Sequence, residues 1–117
     1  MKYALLIYGA EADYPGPESP ESAQMMEAYA SFTQEISAEG INLGGEALES
    51  VNTATTVRVR DGEVLTTDGP FAETKEQLGG FYLVEADDLD AAIAVAARLP
   101  GSWHGSVEIR PVWVWEG

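Results

Sequence analysis

The chain has 117 residues with 20 acids against 6 bases, a net charge of −14, and no cysteine. That length fits one domain spanning residues 1–117, while disulfides and thiolate chemistry are excluded. The acidic field repels polyanions, which argues against nucleic-acid partners and against anionic membrane surfaces, and no apolar run approaches the roughly 20 residues of a membrane helix.

Met1-Lys2 leads straight into strand-like sequence without the apolar segment of a signal peptide, so the cytoplasm is the expected compartment. Residues 2–8 alternate Tyr3, Leu5 and Ile7 with Ala4, Leu6 and Tyr8, a strand apolar on both faces. The Gly- and Pro-rich stretch 9–20 reads as a loop, closed by Ser19-Pro20 as an N-cap with proline at the first helical position. Met25, Tyr29, Phe32 and Ile36 then form one stripe of a helix over about residues 20–39, stopped by Gly40. From Ile41 to Leu48 a strand carries Gly44-Gly45, which predicts a bulge or a close backbone approach. Thr55–Arg60 and Glu63–Thr67 flank Asp61-Gly62, a strong hairpin signal. Gly79–Glu85 is the next strand, again apolar on both faces. Asp87 or Asp88 caps a second helix with Leu89, Ala92, Ile93, Ala96 and Leu99 as its buried stripe, ended by Pro100-Gly101. Ser106–Trp115 is the last strand, and Pro111 places it at an edge or a bulge.

Without the hairpin this order is β-α-β followed by β-α-β, the split pattern of a ferredoxin-like α+β sandwich with an inserted hairpin. Both helices would cover one sheet face. The opposite face, apolar in strands 2–8 and 79–85, then predicts a homodimer, sheet against sheet.

The densest stretch is Asp68-Gly-Pro-Phe-Ala-Glu-Thr-Lys-Glu76. Asp68 is a candidate general base, or else a turn cap taking backbone N–H groups near Phe71. Phe71 reads as a core anchor or a stacking platform, and Lys75 as a contact for an anionic ligand or part of a solvated rim. His104, in the loop-like Ser-Trp-His-Gly, is the acid–base candidate with a pKa near neutrality, or an exposed bystander. Tyr8 and Arg58 are further ligand-contact candidates; Tyr3, Tyr82 and Trp113 also fall on strands, where a sheet–sheet interface would use them. No nucleotide signature or His-containing metal spacing is present, so neither cofactor nor metal is expected.

The stretch 68–76 resembles the signature of the YCII-related, or DGPF, family of small bacterial proteins. The likeness extends to Lys-Tyr-Ala-Leu-Leu-Ile-Tyr at 2–8, Glu39-Gly40, Thr56-Val57-Arg58, Leu78-Gly79-Gly80-Phe81 and Val107-Glu108-Ile109-Arg110-Pro111-Val112. The resemblance implies a dimeric ferredoxin-like fold and, in the wider family, a site built from an aspartate and a histidine in a cleft. One relative is a dehydrochlorinase on a chlorinated ring-derived acid, and others accompany sigma factors of the extracytoplasmic-function type. His104 lies outside the matched motifs. Two functions therefore stand: a small dimeric ligand-binding or accessory module, or a cofactor-independent lyase or isomerase in which Asp68 moves a proton on a small acidic substrate.

Overall fold

A computed structural model describes residues 1–115. The fold is α+β. Four antiparallel strands lie in the order β2-β5-β1-β6, with β1 at Lys2–Gly9, β2 at Asn42–Ala47, β5 at Gln77–Glu85 and β6 at Ser106–Pro111. A separate two-stranded ribbon pairs β3 (Thr55–Arg60) with β4 (Glu63–Asp68). Helix α1 (Pro20–Ala38) links β1 to β2; α2 (Leu89–Ala96) and the short α3 (Gly101–His104) link β5 to β6. Among the described residues no helix is long and apolar enough to cross a membrane.

Local chemistry sets most boundaries. The Ser22 N–H donates to Ser19 Oγ at 3.1 Å beneath Pro20, and Gly40 (φ 77°) ends α1. The Ala91 N–H donates to Asp88 Oδ1 at 2.8 Å, capping α2. Pairing of β2 with β5 slips between Asn42 and Gly44, the expected bulge. Gly45 explains itself by proximity: a Cβ there would lie 2.5 Å from the Phe81 carbonyl oxygen. Asp61 (φ 51°) and Gly62 (φ 78°) form the hairpin turn. Strand β6 is an edge strand, which tolerates Pro111.

One core unites the sheet and both long helices. Tyr3, Leu5 and Ile7 of β1 and Val84 of β5 meet Phe32 and Ile36 of α1, Ala92, Val95 and Ala96 of α2, and Leu99. Leu5, Ile36, Leu99 and Val84 are fully buried, each contributing roughly 1.5–3 kcal/mol. Arg98 fastens the helices to each other: it donates to both carboxylate oxygens of Glu39 (3.0 and 2.8 Å) and to Glu35 (3.0 Å), and its guanidinium lies 5.9 Å from the Phe32 ring centroid.

Several expectations change. The stripe of α2 is rotated: Leu89 and Ile93 are half-exposed, whereas Val95 joins Ala92, Ala96 and Leu99 inside. Small alanines let the helix axis approach the sheet, and the larger residues are displaced to its outer side. Pro100 does not end helical structure. Its backbone is helical (φ −55°, ψ −35°) and starts α3, so His104 ends a helical turn and does not lie in a loop. The last strand stops at Pro111, leaving Trp113 exposed beyond it. Tyr3 and Tyr82 face the helices: Tyr3 is buried, and Tyr82 meets Phe32 edge-on at 5.1 Å, so neither lies on the outer sheet face. Phe71 is no core anchor. It is 79% exposed, because the loop carrying it hangs from the base of the ribbon, away from the helix-side core.

Leu99→Ala should cost about 2–5 kcal/mol, the range for emptying a core leucine site. Ile93→Ala, on the outer side of α2, should change stability by less than about 0.5 kcal/mol. Urea denaturation of the two variants measures both, and similar losses would restore the unrotated stripe.

Candidate functional site

A cavity of about 1000 Å³ opens between α1, α3 and one end of the sheet. Glycines make much of its floor: Gly9 on β1, Gly44 and Gly45 on β2, and Gly79 and Gly80 on β5. Lacking side chains, they leave room where an ordinary sheet would fill the space. Tyr14 uses that room. A Cβ on Gly9 or Gly79 would stand 2.9 or 3.1 Å from the Tyr14 hydroxyl, so any other residue at either position would push the ring away. Gly101 serves α3 in the same manner, since a Cβ there would meet Ile7 Cγ2 at 2.6 Å and the Tyr29 hydroxyl at 2.8 Å.

The polar groups of the wall come from different elements. The Thr33 hydroxyl donates to the Tyr29 carbonyl at 2.9 Å and lies 2.7 Å from the Tyr82 hydroxyl. With the Thr33 proton committed to the carbonyl, Tyr82 is the donor of the second bond. Tyr29 and Tyr14 complete a phenol cluster, joined by Trp103 and His104 of α3. Burial is the main force raising the Tyr29 phenol above its ordinary value of 10.0, helped by Tyr14 and Tyr82 and opposed by a Gly101 backbone hydrogen bond. For Tyr14, burial again leads, followed by the charges of Glu11 and Glu76. Both phenols are therefore neutral donors at ordinary pH. Asp13, Glu21 and Glu46 also line the cavity, and none of the chain's lysines or arginines does.

The loop that carries Tyr14 is tied down. Glu11 accepts from Ser50 Oγ at 2.7 Å and from the Val51 N–H at 3.0 Å, while its own N–H donates to Gln77 Oε1 at 2.9 Å. The Ser50 hydrogen bond, and then that of Val51, hold the Glu11 carboxyl below its usual range. Contacts between residues 11, 50 and 77 thus set where Tyr14 stands.

Of the residues expected to carry function, His104 and Tyr8 border this cavity, Tyr8 from a β1 position whose side chain alternates to the sheet face opposite Ile7, whereas Asp68, Phe71, Lys75 and Arg58 do not. Asp68 ends β4, exposed, and among the described residues its carboxylate takes no hydrogen bond, neither as a turn cap nor toward a neighbouring acid–base group. The turn after it is held by other atoms: the Gly69 N–H donates to the Ala54 carbonyl at 2.7 Å, Thr56 Oγ1 donates to the Gly69 carbonyl at 2.8 Å, and Gly69 has φ 102°. Lys75 is exposed, and Glu76 accepts from Ser106 Oγ at 2.9 Å. Sequence reasoning missed Tyr14, Tyr29, Thr33 and Trp103 as site residues. Tyr29 was legible only as part of the helix stripe, and the one available signal was the number of glycines opposite tyrosines.

The YCII-related domain matches residues 1–116 of the chain. The chain belongs to the YCII-related family. A relative from Rhizobium meliloti (strain 1021), the uncharacterized protein R00369, is 39% identical over 115 residues, covering 96% of this chain and 92% of its own length. The Gly79-Gly80 pair that resembled the family pattern in sequence is, in this member, the floor of the cavity.

Raised phenol pKa values have a defined consequence for stability. A group whose folded pKa lies above its unfolded one contributes fully below the unfolded pKa, and the contribution disappears as pH climbs through the folded value. Stability should therefore fall as pH rises beyond about 10, the ordinary phenol value, and Tyr29→Phe should flatten part of that fall in melting temperatures measured across the alkaline range. An alkaline limb of equal slope in the variant would contradict the assignment.

Proposed function

We propose that this YCII-related protein is a small-molecule-binding module whose ligand occupies the cavity under α1 and α3, in a ferredoxin-like sandwich that works as a homodimer in the cytoplasm. The observation that carries the reading is the cavity itself: a space of ligand size, floored by glycines and edged by a few oriented hydroxyls, is the usual form of a small-molecule site. The lining selects the ligand. Phenol donors and aromatic faces suit a flat, apolar molecule with one or two acceptors, and Asp13 and Glu21 favour a neutral or cationic one. An anionic ligand held by Lys75 or Arg58 has no support from this wall.

The homodimer rests on the outer sheet face. Ala4, Leu6 and Tyr8 of β1 alternate away from the helix-side core, and pairing sets Leu83, Phe81 and Leu78 of β5 beside them. Glu46, Glu108 and Arg110 on the edge strands surround that apolar strip with charge. An apolar centre with a polar rim is the composition of an interface.

A matched set of an arylalkyl amine, alcohol and carboxylate on one skeleton tests the ligand. The amine and alcohol should raise the melting temperature and change the emission of Trp103, and the carboxylate should do neither. Ala28→Trp, which fills the cavity from α1, should abolish both responses. Responses that survive in that variant would place the ligand elsewhere. Light scattering at micromolar concentration should give the mass of a dimer; a stable monomer would remove the interface.

A further inference from the structure

The ribbon β3–β4 stands apart from the body of its own chain. It belongs to neither edge of the four-stranded sheet, and every residue in it except Thr56 is exposed. Its register places Val57, Val59 and Val64 on one face, where they are 58%, 57% and 68% exposed, and Arg58 and Arg60 on the other. Two strands by themselves are marginal in water and need a surface to pack against. The radius of gyration is 16.3 Å, against roughly 13 Å for a compact chain of this length. The molecule measures 47 × 46 × 19 Å, broad and thin.

We propose that the ribbon is an arm that closes on a second copy of this chain, laying its valine face on the partner's body. The inference rests on the homodimer reading and adds the element that grips. A second copy fits better than another occupant because a two-fold axis lets one set of contacts satisfy both arms and both bodies, with each arm packing beside the sheet face that the dimer already buries. Charge points the same way. Residues 55–68 hold two of the six bases and three of the twenty acids, so the arm is nearly neutral while the rest of the chain carries almost all the excess negative charge. An acidic body repels its twin, and the arm is the segment that can approach it with least repulsion; Arg58 and Arg60 add attraction. The tight Asp61-Gly62 turn sets the register in which the two strands pair, which limits the conformations that docking has to order.

The test compares the wild-type chain with Val57→Asp/Val64→Asp by analytical ultracentrifugation, with hydrogen exchange of residues 55–68 across a dilution series. The wild type should dimerise, and the variant should weaken the dimer by about 100-fold, the scale of losing two well-buried interface side chains. Arm amides in the wild type should be protected when dimeric and exchange freely on dilution. A wild-type dimer with unprotected arm amides, or with affinity unchanged in the variant, overturns the arm and leaves the dimer standing. A wild type that is monomeric at micromolar concentration overturns both. Should the variant lose its far-ultraviolet circular dichroism, the wild-type exchange series decides alone.

Discussion

Strand β1 is bonded along both edges, to β5 and to β6, and buries Leu5 completely beneath the helices. Everything else is placed by that position. Its helix-facing residues, Tyr3, Leu5 and Ile7, receive Phe32 and Ile36 from α1 and the small face of α2 in one cluster. Its start is fixed as well: the Met1 amino group donates to the Ala86 carbonyl at 2.9 Å and pairs with Glu85, and the Val112 N–H donates to the Lys2 carbonyl. A central strand of this kind cannot shift by one residue without exchanging its buried and outer sets, so register and core are decided together.

The cavity follows from where coverage by the helices stops. At one end of the sheet the strands turn to glycine, and the space above them is left to Tyr14, Tyr29 and Tyr82. Close approach then does what side-chain packing does elsewhere. The Gly101 position admits the Tyr29 hydroxyl, and Gly79 admits Tyr14. The result is a pocket lined by neutral hydrogen-bond donors inside an acidic protein, and the proposed preference for neutral or cationic ligands rests on that environment.

The most conspicuous stretch of the chain has a different place in the molecule. Asp68-Gly-Pro-Phe-Ala-Glu-Thr-Lys-Glu76, the stretch whose sequence resembles a family signature, forms the return from the ribbon to β5. Its Gly69 requires a left-handed backbone, and backbone and threonine hydrogen bonds tie it to the start of β3. Asp68 and Phe71 both face solvent there. The motif lies at the base of a ribbon that joins neither edge of the four-stranded sheet, and none of its residues lines the cavity.

Periodicity and cap chemistry placed the main elements, though not α3 or the end of β6. Alternation in residues 2–8, Ser19-Pro20, Asp88, Asp61-Gly62 and the glycine bulge in β2 are local signals, and each marks its feature within a residue or two. The helix-facing side of β1 was also legible, because period-two alternation survives folding. What local signals could not decide is distance. Whether Phe71 is buried, whether Ile93 or Val95 faces the sheet, and that Tyr14, Tyr29 and Tyr82 converge depend on how separate elements meet. Tyr14 lies in a loop, Tyr29 on α1 and Tyr82 on β5; only the tertiary structure brings the three around one cavity, because only there does the missing volume of the glycines become a space that their rings can share.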